Sequence, residues 1–114
     1  MDALLPSVPA LLVLKVLEQG PAHGYEIVRR VERTSEGVLA LKEGTLYPLL
    51  YKMEHEGLVS AAWTDVAGGR QVRIYTLTGL GRRHLVEEEE IWTIRSGGVN
   101  RVLSTEGAAT NGLA

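Results

Sequence analysis

Between residues 42 and 56 the chain reads KEGTLYPLLYKMEHE, which sets a threonine, two tyrosines, a proline and a lysine among leucines at helical spacing. At about 100° per residue, Leu46, Leu49, Leu50 and Met53 share one helix face; Pro48, Tyr51, Lys52 and His55 share the other, flanked by Thr45 and Tyr47. Hydroxyls carried on a leucine-anchored helix reach the edges of nucleic-acid bases at a fixed depth, and an ammonium beside them neutralises a phosphate. Lys42 just ahead of the segment and Arg70 and Arg73 beyond it are further cations suited to a phosphate backbone, and Tyr25 is another tyrosine expected on that side. The expected nucleic-acid contacts are therefore Tyr25, Lys42, Thr45, Tyr47, Pro48, Tyr51, Lys52, Arg70 and Arg73.

Other chemistries have little to build on. The chain has no cysteine, which removes disulfides, thiolate nucleophiles and Cys-based zinc sites. His23, His55 and His84 fall at no metal-ligand spacing, so no metal is expected. No nucleophile and base pair, phosphate-cradling loop or paired carboxylates are evident, so an enzyme is not expected and neither is a cofactor.

The residues that would touch a nucleic acid need elements to hold them. Residues 8–18, VPALLVLKVLE, are apolar nearly all round, which predicts a buried first helix stopped by Gly20-Pro21. A second helix is expected over about His23 to Thr34, with Gly24, Ile27, Val28 and Val31 inward and Glu26, Arg29, Arg30 and Arg33 outward. The third runs from about Gly44 or Thr45 to Glu56, with Gly57 as a left-handed cap. Pro48 leaves its start open: Thr45 as N-cap puts the proline in the first turn, and an earlier start requires a local kink. Leu58 to Trp63 and Val72 to Leu77 read as two strands of a hairpin bent at Gly68-Gly69, after which Thr78 caps a last helix from Gly79 to about Leu103.

Composition fits one small globular domain. The chain has 114 residues, 45% of them hydrophobic and 23% charged, which is inside the ordinary range for a folded protein. Asp2, Pro6, Pro9 and Lys15 argue against an export signal or membrane span at the start, so a cytoplasmic protein is expected. The net charge of −2 weighs mildly against nucleic-acid binding. Placement offsets this: Glu87 to Glu90 concentrate negative charge in the last helix, whereas Arg29, Arg30, Arg33, Lys42, Lys52, Arg70 and Arg73 lie in the part assigned to the binding face.

The order helix, helix, turn, helix, hairpin, helix is that of a winged helix-turn-helix, with residues 1–78 as the DNA-binding domain, 79–104 as a dimerisation helix and 105–114 as a disordered tail. The class is mainly α with a small β-hairpin. His23-Gly24-Tyr25-Glu26-Ile27, then Glu43 to Leu50, Glu56-Gly57-Leu58-Val59, Gly68-Gly69-Arg70 and Tyr75-Thr76-Leu77-Thr78 resemble, in order and spacing, the PadR-type regulators. The resemblance implies a dimeric transcription factor, most often a repressor, whose C-terminal helix makes the dimer and often helps to sense a small molecule. Two-fold symmetry of such a dimer predicts a palindromic double-stranded operator as partner. Val72, Ile74 and Thr76 depart from the basic and tyrosine-rich second wing strand of the family, Lys42 stands where a serine cap is common, and Gly97-Gly98 interrupts the last helix.

That helix carries Leu85, Trp92 and Val99 at intervals of seven, followed by Val102 and Leu103. Such a stripe must be buried against something, and in a short chain the best candidate is the same helix, or the first helix, of a second copy. Leu11, Leu14, Leu85, Trp92, Val99, Val102 and Leu103 are therefore expected at a dimer interface, with Trp92 also the candidate to stack on a small aromatic effector. The competing reading, motivated by the acidic balance and the thin wing, is a winged-helix protein-interaction module without DNA binding.

Overall fold

The computed structural model describes residues 8–105, so the readings of residues 1–7 and of the tail beyond 105 fall outside the described residues. The chain forms α1 (Val8–Glu18), α2 (Gly24–Thr34), α3 (Glu43–His55), β1 (Val59–Val66), β2 (Arg70–Leu77) and α4 (Gly79–Leu103). The two strands make one antiparallel ribbon in which Val59 pairs with Leu77 and Val66 with Arg70. Among the described residues, no helix is long and apolar enough to cross a membrane.

One core joins every element. Val13, Leu14, Val16 and Leu17 of α1 pack with Ile27 and Val31 of α2, Leu46, Leu50 and Met53 of α3, Val59, Tyr75 and Leu77 of the ribbon, and Leu85 of α4. Two backbone hydrogen bonds, Ala22 N–H to Tyr75 O (3.1 Å) and Tyr75 N–H to Ala22 O (2.9 Å), sew the α1–α2 loop to β2 as well. The root of the ribbon is thereby fixed to the helical body.

The helix ends show which local signals prevailed. α2 begins where the Glu26 N–H donates to His23 Nδ1 at 3.2 Å, a side-chain cap. α3 ends as expected at Gly57, whose φ of 80° is left-handed; Leu58 N–H donates to Met53 O and Gly57 N–H to Glu54 O, the Schellman pattern. Its start is the earlier of the two open alternatives. Lys42 is the N-cap, in extended conformation and with no side-chain cap, and its carbonyl accepts from Thr45 N–H (3.0 Å) and Leu46 N–H (2.9 Å). Thr45 is thus already helical, and Pro48 lies inside the helix. The proline removes the donor that Gly44 O would have received, but both residues are exposed, so water can satisfy that carbonyl.

Two further expectations are corrected, on the strands and on Leu14 and Leu85, and the question left open at Gly97-Gly98 is answered. The strands run through Val66 and from Arg70, and only Ala67–Gly69 turn between them, because Gly68 (φ 86°) and Gly69 (φ 75°) reverse the chain in minimal length. α4 continues through Gly97 and Gly98 as one helix, roughly 37 Å long at 1.5 Å per residue. Leu14 and Leu85, expected at a dimer interface, are fully buried in the protomer's own core and have no surface to offer a partner.

The ribbon hands over to α4 at Thr78. Its Oγ1 accepts from Gly81 N–H (3.0 Å) and lies within hydrogen-bond distance of Gly57 O (2.6 Å) and Leu58 O (3.0 Å), so one hydroxyl ties the end of α3, the ribbon and the start of α4. Thr78→Val is expected to lower unfolding free energy by about 1 to 2 kcal/mol in urea melts, and Thr78→Ser by less than about 0.5 kcal/mol, because serine keeps the hydroxyl.

Candidate nucleic-acid interface

The exposed side of α3 emerges from the body as the leucine pattern requires. Leu46 and Leu50 are fully buried beneath it, while Thr45, Pro48 and Lys52 are exposed and Tyr47 and Tyr51 are 45% and 75% exposed. Tyr47 does two things. Its outer edge faces solvent, and its ring lies across Gly24 so closely that a β-carbon there would overlap the Tyr47 hydroxyl and come within 2.7 Å of Cζ. This close approach, together with the packing of Ile27 and Val31 of α2 with Leu46 and Leu50 of α3 in one core, sets how the two helices meet.

Tyr25, 57% exposed, extends this surface along α2. It stacks against His23 at 6.4 Å between ring centroids and 8° between planes, and the Arg29 guanidinium lies 5.7 Å from its ring. Between these rings and the wing runs an open groove of about 690 Å³ bounded by Tyr25, Tyr47, Trp63, Arg70 and Arg73. A second groove, about 610 Å³ and lined by Tyr47, Tyr51, Glu54, His55, Arg73 and Tyr75, continues it along α3. Tyr75 at its floor is buried, and burial raises its phenol above the usual value, so it stays neutral at physiological pH.

The expected cations divide into two groups. Lys42, Lys52 and Arg70 are exposed and make no ion pair among the described residues. Arg73 is engaged instead: its Nη2 donates to Glu54 Oε2 at 2.6 Å, and its guanidinium lies 5.6 Å from the Trp63 ring. Arg30, assigned to the binding face by its position in sequence, is also diverted. It donates to Gly20 O (3.0 Å) and Pro21 O (3.3 Å) and pairs with Glu26 (3.1 Å), which holds the Glu26 carboxyl below its usual range. Trp63, His23 and Glu54 were not among the expected site residues. An exposed tryptophan on a wing strand was a usable signal, but nothing local linked Glu54 to an arginine 19 positions away.

The sequence model of the transcriptional regulator PadR-like family matches residues 13–87, which contain α2, α3 and the whole ribbon. The chain belongs to this family. A PadR-like transcriptional regulator of Bacillus cereus superposes on this PadR-like chain with a TM-score of 0.74 at 27% identity, covering 91% of this chain and 99% of its own. Bacillus subtilis PadR, solved in complex with operator DNA, gives a TM-score of 0.65 at 26% identity over 71% of this chain and 46% of that one. The transcriptional regulator YqjI of Escherichia coli (strain K12) is 28% identical over 80 residues, and this chain covers 37% of its length. The fold is accordingly the winged helix-turn-helix of the PadR-like regulators, with α2 and α3 as the paired helices and β1–β2 as the wing.

In this PadR-like chain the C-terminal helix is largely unpartnered. Gly81 and Leu85 are its buried residues, whereas Trp92, Val99, Val102 and Leu103 of the expected interface are 42%, 52%, 73% and 75% exposed. Ile91 (38%) and Ile94 (71%) lie open beside them. Leu11 is half-buried against the core. The open groove along α4 is lined by Val86, Glu89, Glu90, Thr93 and Ile94, and Trp92 is not part of it.

Proposed function

We propose that this chain is a sequence-specific transcriptional repressor that acts in the cytoplasm as a homodimer on a palindromic operator. The observation that carries the reading is the face of α3: Thr45, Tyr47, Pro48, Tyr51 and Lys52 stand clear of the body while Leu46 and Leu50 lock the helix from behind. In the major groove that face reads base edges. Lys42, Lys52 and Arg70 contact phosphates, and Tyr25 with Arg29 continues the contact along α2.

The exposed apolar residues of α4 support the dimer. A stretch of roughly 27 Å beyond Leu85, at 1.5 Å per residue, has no buried residue, and it exposes Ile91, Trp92, Ile94, Val99, Val102 and Leu103, a set of large apolar side chains of the kind that marks an interaction site. Pairing with the same helix of a second copy buries Val99, Val102 and Leu103 and sets two α3 helices at roughly 34 to 36 Å, one turn of duplex. Trp92 is the residue on which a small aromatic effector stacks to release the operator.

The test is fluorescence anisotropy of the full chain on a duplex from its own promoter region, repeated across a salt series. The logarithm of the binding constant is expected to fall linearly with log[salt], with Lys52→Ala and Arg70→Ala each reducing the slope by about 1.8, because each removes one phosphate contact from both copies of the dimer. Binding that is absent, or insensitive to salt and to both substitutions, overturns the reading in favour of a protein-interaction module.

A further inference from the structure

We infer that Arg73, Glu54 and Trp63 form a strut that fixes the wing relative to the recognition helix, so that Arg73 is a positioning residue and not a phosphate contact. The inference rests on the DNA-binding reading above.

The wing needs such a device. A two-stranded ribbon is marginally stable alone, and here it joins the core only at its root, through Val59, Tyr75 and Leu77. From Ala62 to Gln71 no residue is buried. Arg73 and Trp63 are directly opposite in the register, one on each strand, just where the ribbon leaves the body. The guanidinium over the indole holds the strands to each other, and the 2.6 Å bond to Glu54 holds both to α3. Glu54 is two residues beyond Lys52 and three beyond Tyr51, so the strut ends on the same helix turns that meet the operator.

Electrostatics make the pairing reciprocal. A free carboxylate at position 54, in the groove lined by Tyr47 and Tyr51, would repel phosphates, and Arg73 cancels it. Arg73, so engaged, has little charge left for a phosphate. A half-exposed ion pair adds little stability in itself, so its consequence is geometric: the wing and α3 meet the duplex already at their working angle, without an ordering cost on binding.

The strut makes an expectation opposite in sign to simple electrostatics. In the full chain, Glu54→Gln removes a negative charge from the DNA-facing side and should tighten binding if Glu54 is a bystander. With a strut, Glu54→Gln weakens operator binding about tenfold, Arg73→Gln weakens it further because it also uncovers the Glu54 carboxylate, and the double variant, in which both charges are gone, binds no worse than Arg73→Gln with the salt slope of the parent. Tighter binding by Glu54→Gln, or a slope reduced by about 1.8 per dimer in the double variant, as loss of a phosphate contact from each copy requires, overturns the inference. A readout without DNA separates this from the parent reading: in a Trp92→Phe background, the time-resolved anisotropy of Trp63 should show faster local motion when Glu54→Gln is added. If the unsubstituted chain fails to bind its promoter, the repressor reading falls and Trp63 still reports on the strut; unchanged Trp63 motion overturns the strut whatever the DNA result.

Discussion

Gly81→Ala is expected to cost about 3 kcal/mol of folding free energy, more than its single added methyl would suggest, since overpacking a tight site costs roughly 1 to 3 kcal/mol and at times more. A β-carbon at this position would overlap the Leu58 carbonyl oxygen and approach Leu77 Cδ1 at 2.6 Å. Neither neighbour is free to move. Leu58 O accepts from Thr78 N–H at 3.1 Å, and Leu77 is buried in the core. Gly97→Ala is the control, because the nearest atom to a β-carbon there is Arg101 Nη1 at 3.7 Å, and alanine favours a helix interior by up to about 1 kcal/mol over glycine. Urea melts should therefore separate two chemically identical substitutions in one helix by about 3 to 4 kcal/mol, in opposite directions. Equal midpoints would mean that α4 does not start in close contact with the ribbon.

Leu85→Ala should be at least as damaging, at about 3 to 5 kcal/mol, the range for fully buried leucines that leave a cavity. Leu85 is the only side chain of α4 completely inside the core, since the helix's other buried residue is Gly81. Beyond it, α4 is held to α1 by the Lys15–Glu89 pair at 3.2 Å, in which both side chains are nearly half exposed, and exposed pairs contribute at most about 1 kcal/mol. Lys15→Ala should thus shift stability by less than about 1 kcal/mol while Leu85→Ala detaches the helix. If α4 carries the second subunit, Leu85→Ala also lowers operator affinity cooperatively. Sedimentation at matched concentrations checks this, and a variant that stays as associated and as stable as the parent would refute the assignment of Leu85 as anchor.

Much of this was legible locally. The spacing of Leu46, Leu50 and Met53 placed the inward side of α3 correctly, and with it the exposure of Tyr51 and Lys52. Gly57 marked the end of that helix, and Thr78 the start of the next, because the capping bonds of each reach atoms within five residues of itself. The start of α3 was not resolved by such signals. Pro48 and Thr45 left two starts open, and in the fold Lys42 holds the capping position with its carbonyl bonded to Thr45 N–H and Leu46 N–H.

Heptad spacing misplaced one residue of α4, Leu85, in an instructive way. Leu85, Trp92 and Val99 share one stripe, but the stripe passes from core to solvent along the helix, since only its first turns lie on the body. A periodic pattern records that a face is apolar and not what covers it. Leu14 failed for the same reason, as its helix is apolar all round and gives no sign of which side the protomer keeps.

By itself, then, the sequence determined the element order and the inward faces of α2 and α3, because periodicity and capping act over a few residues. Tertiary structure alone decided which cations are free. Arg30 and Arg73 are chemically the same as Arg70, yet one fastens the loop between α1 and α2 and another meets a carboxylate 19 residues away. Partners that distant are set by how helices and ribbon pack, and the spacing of charges along a chain carries no record of it.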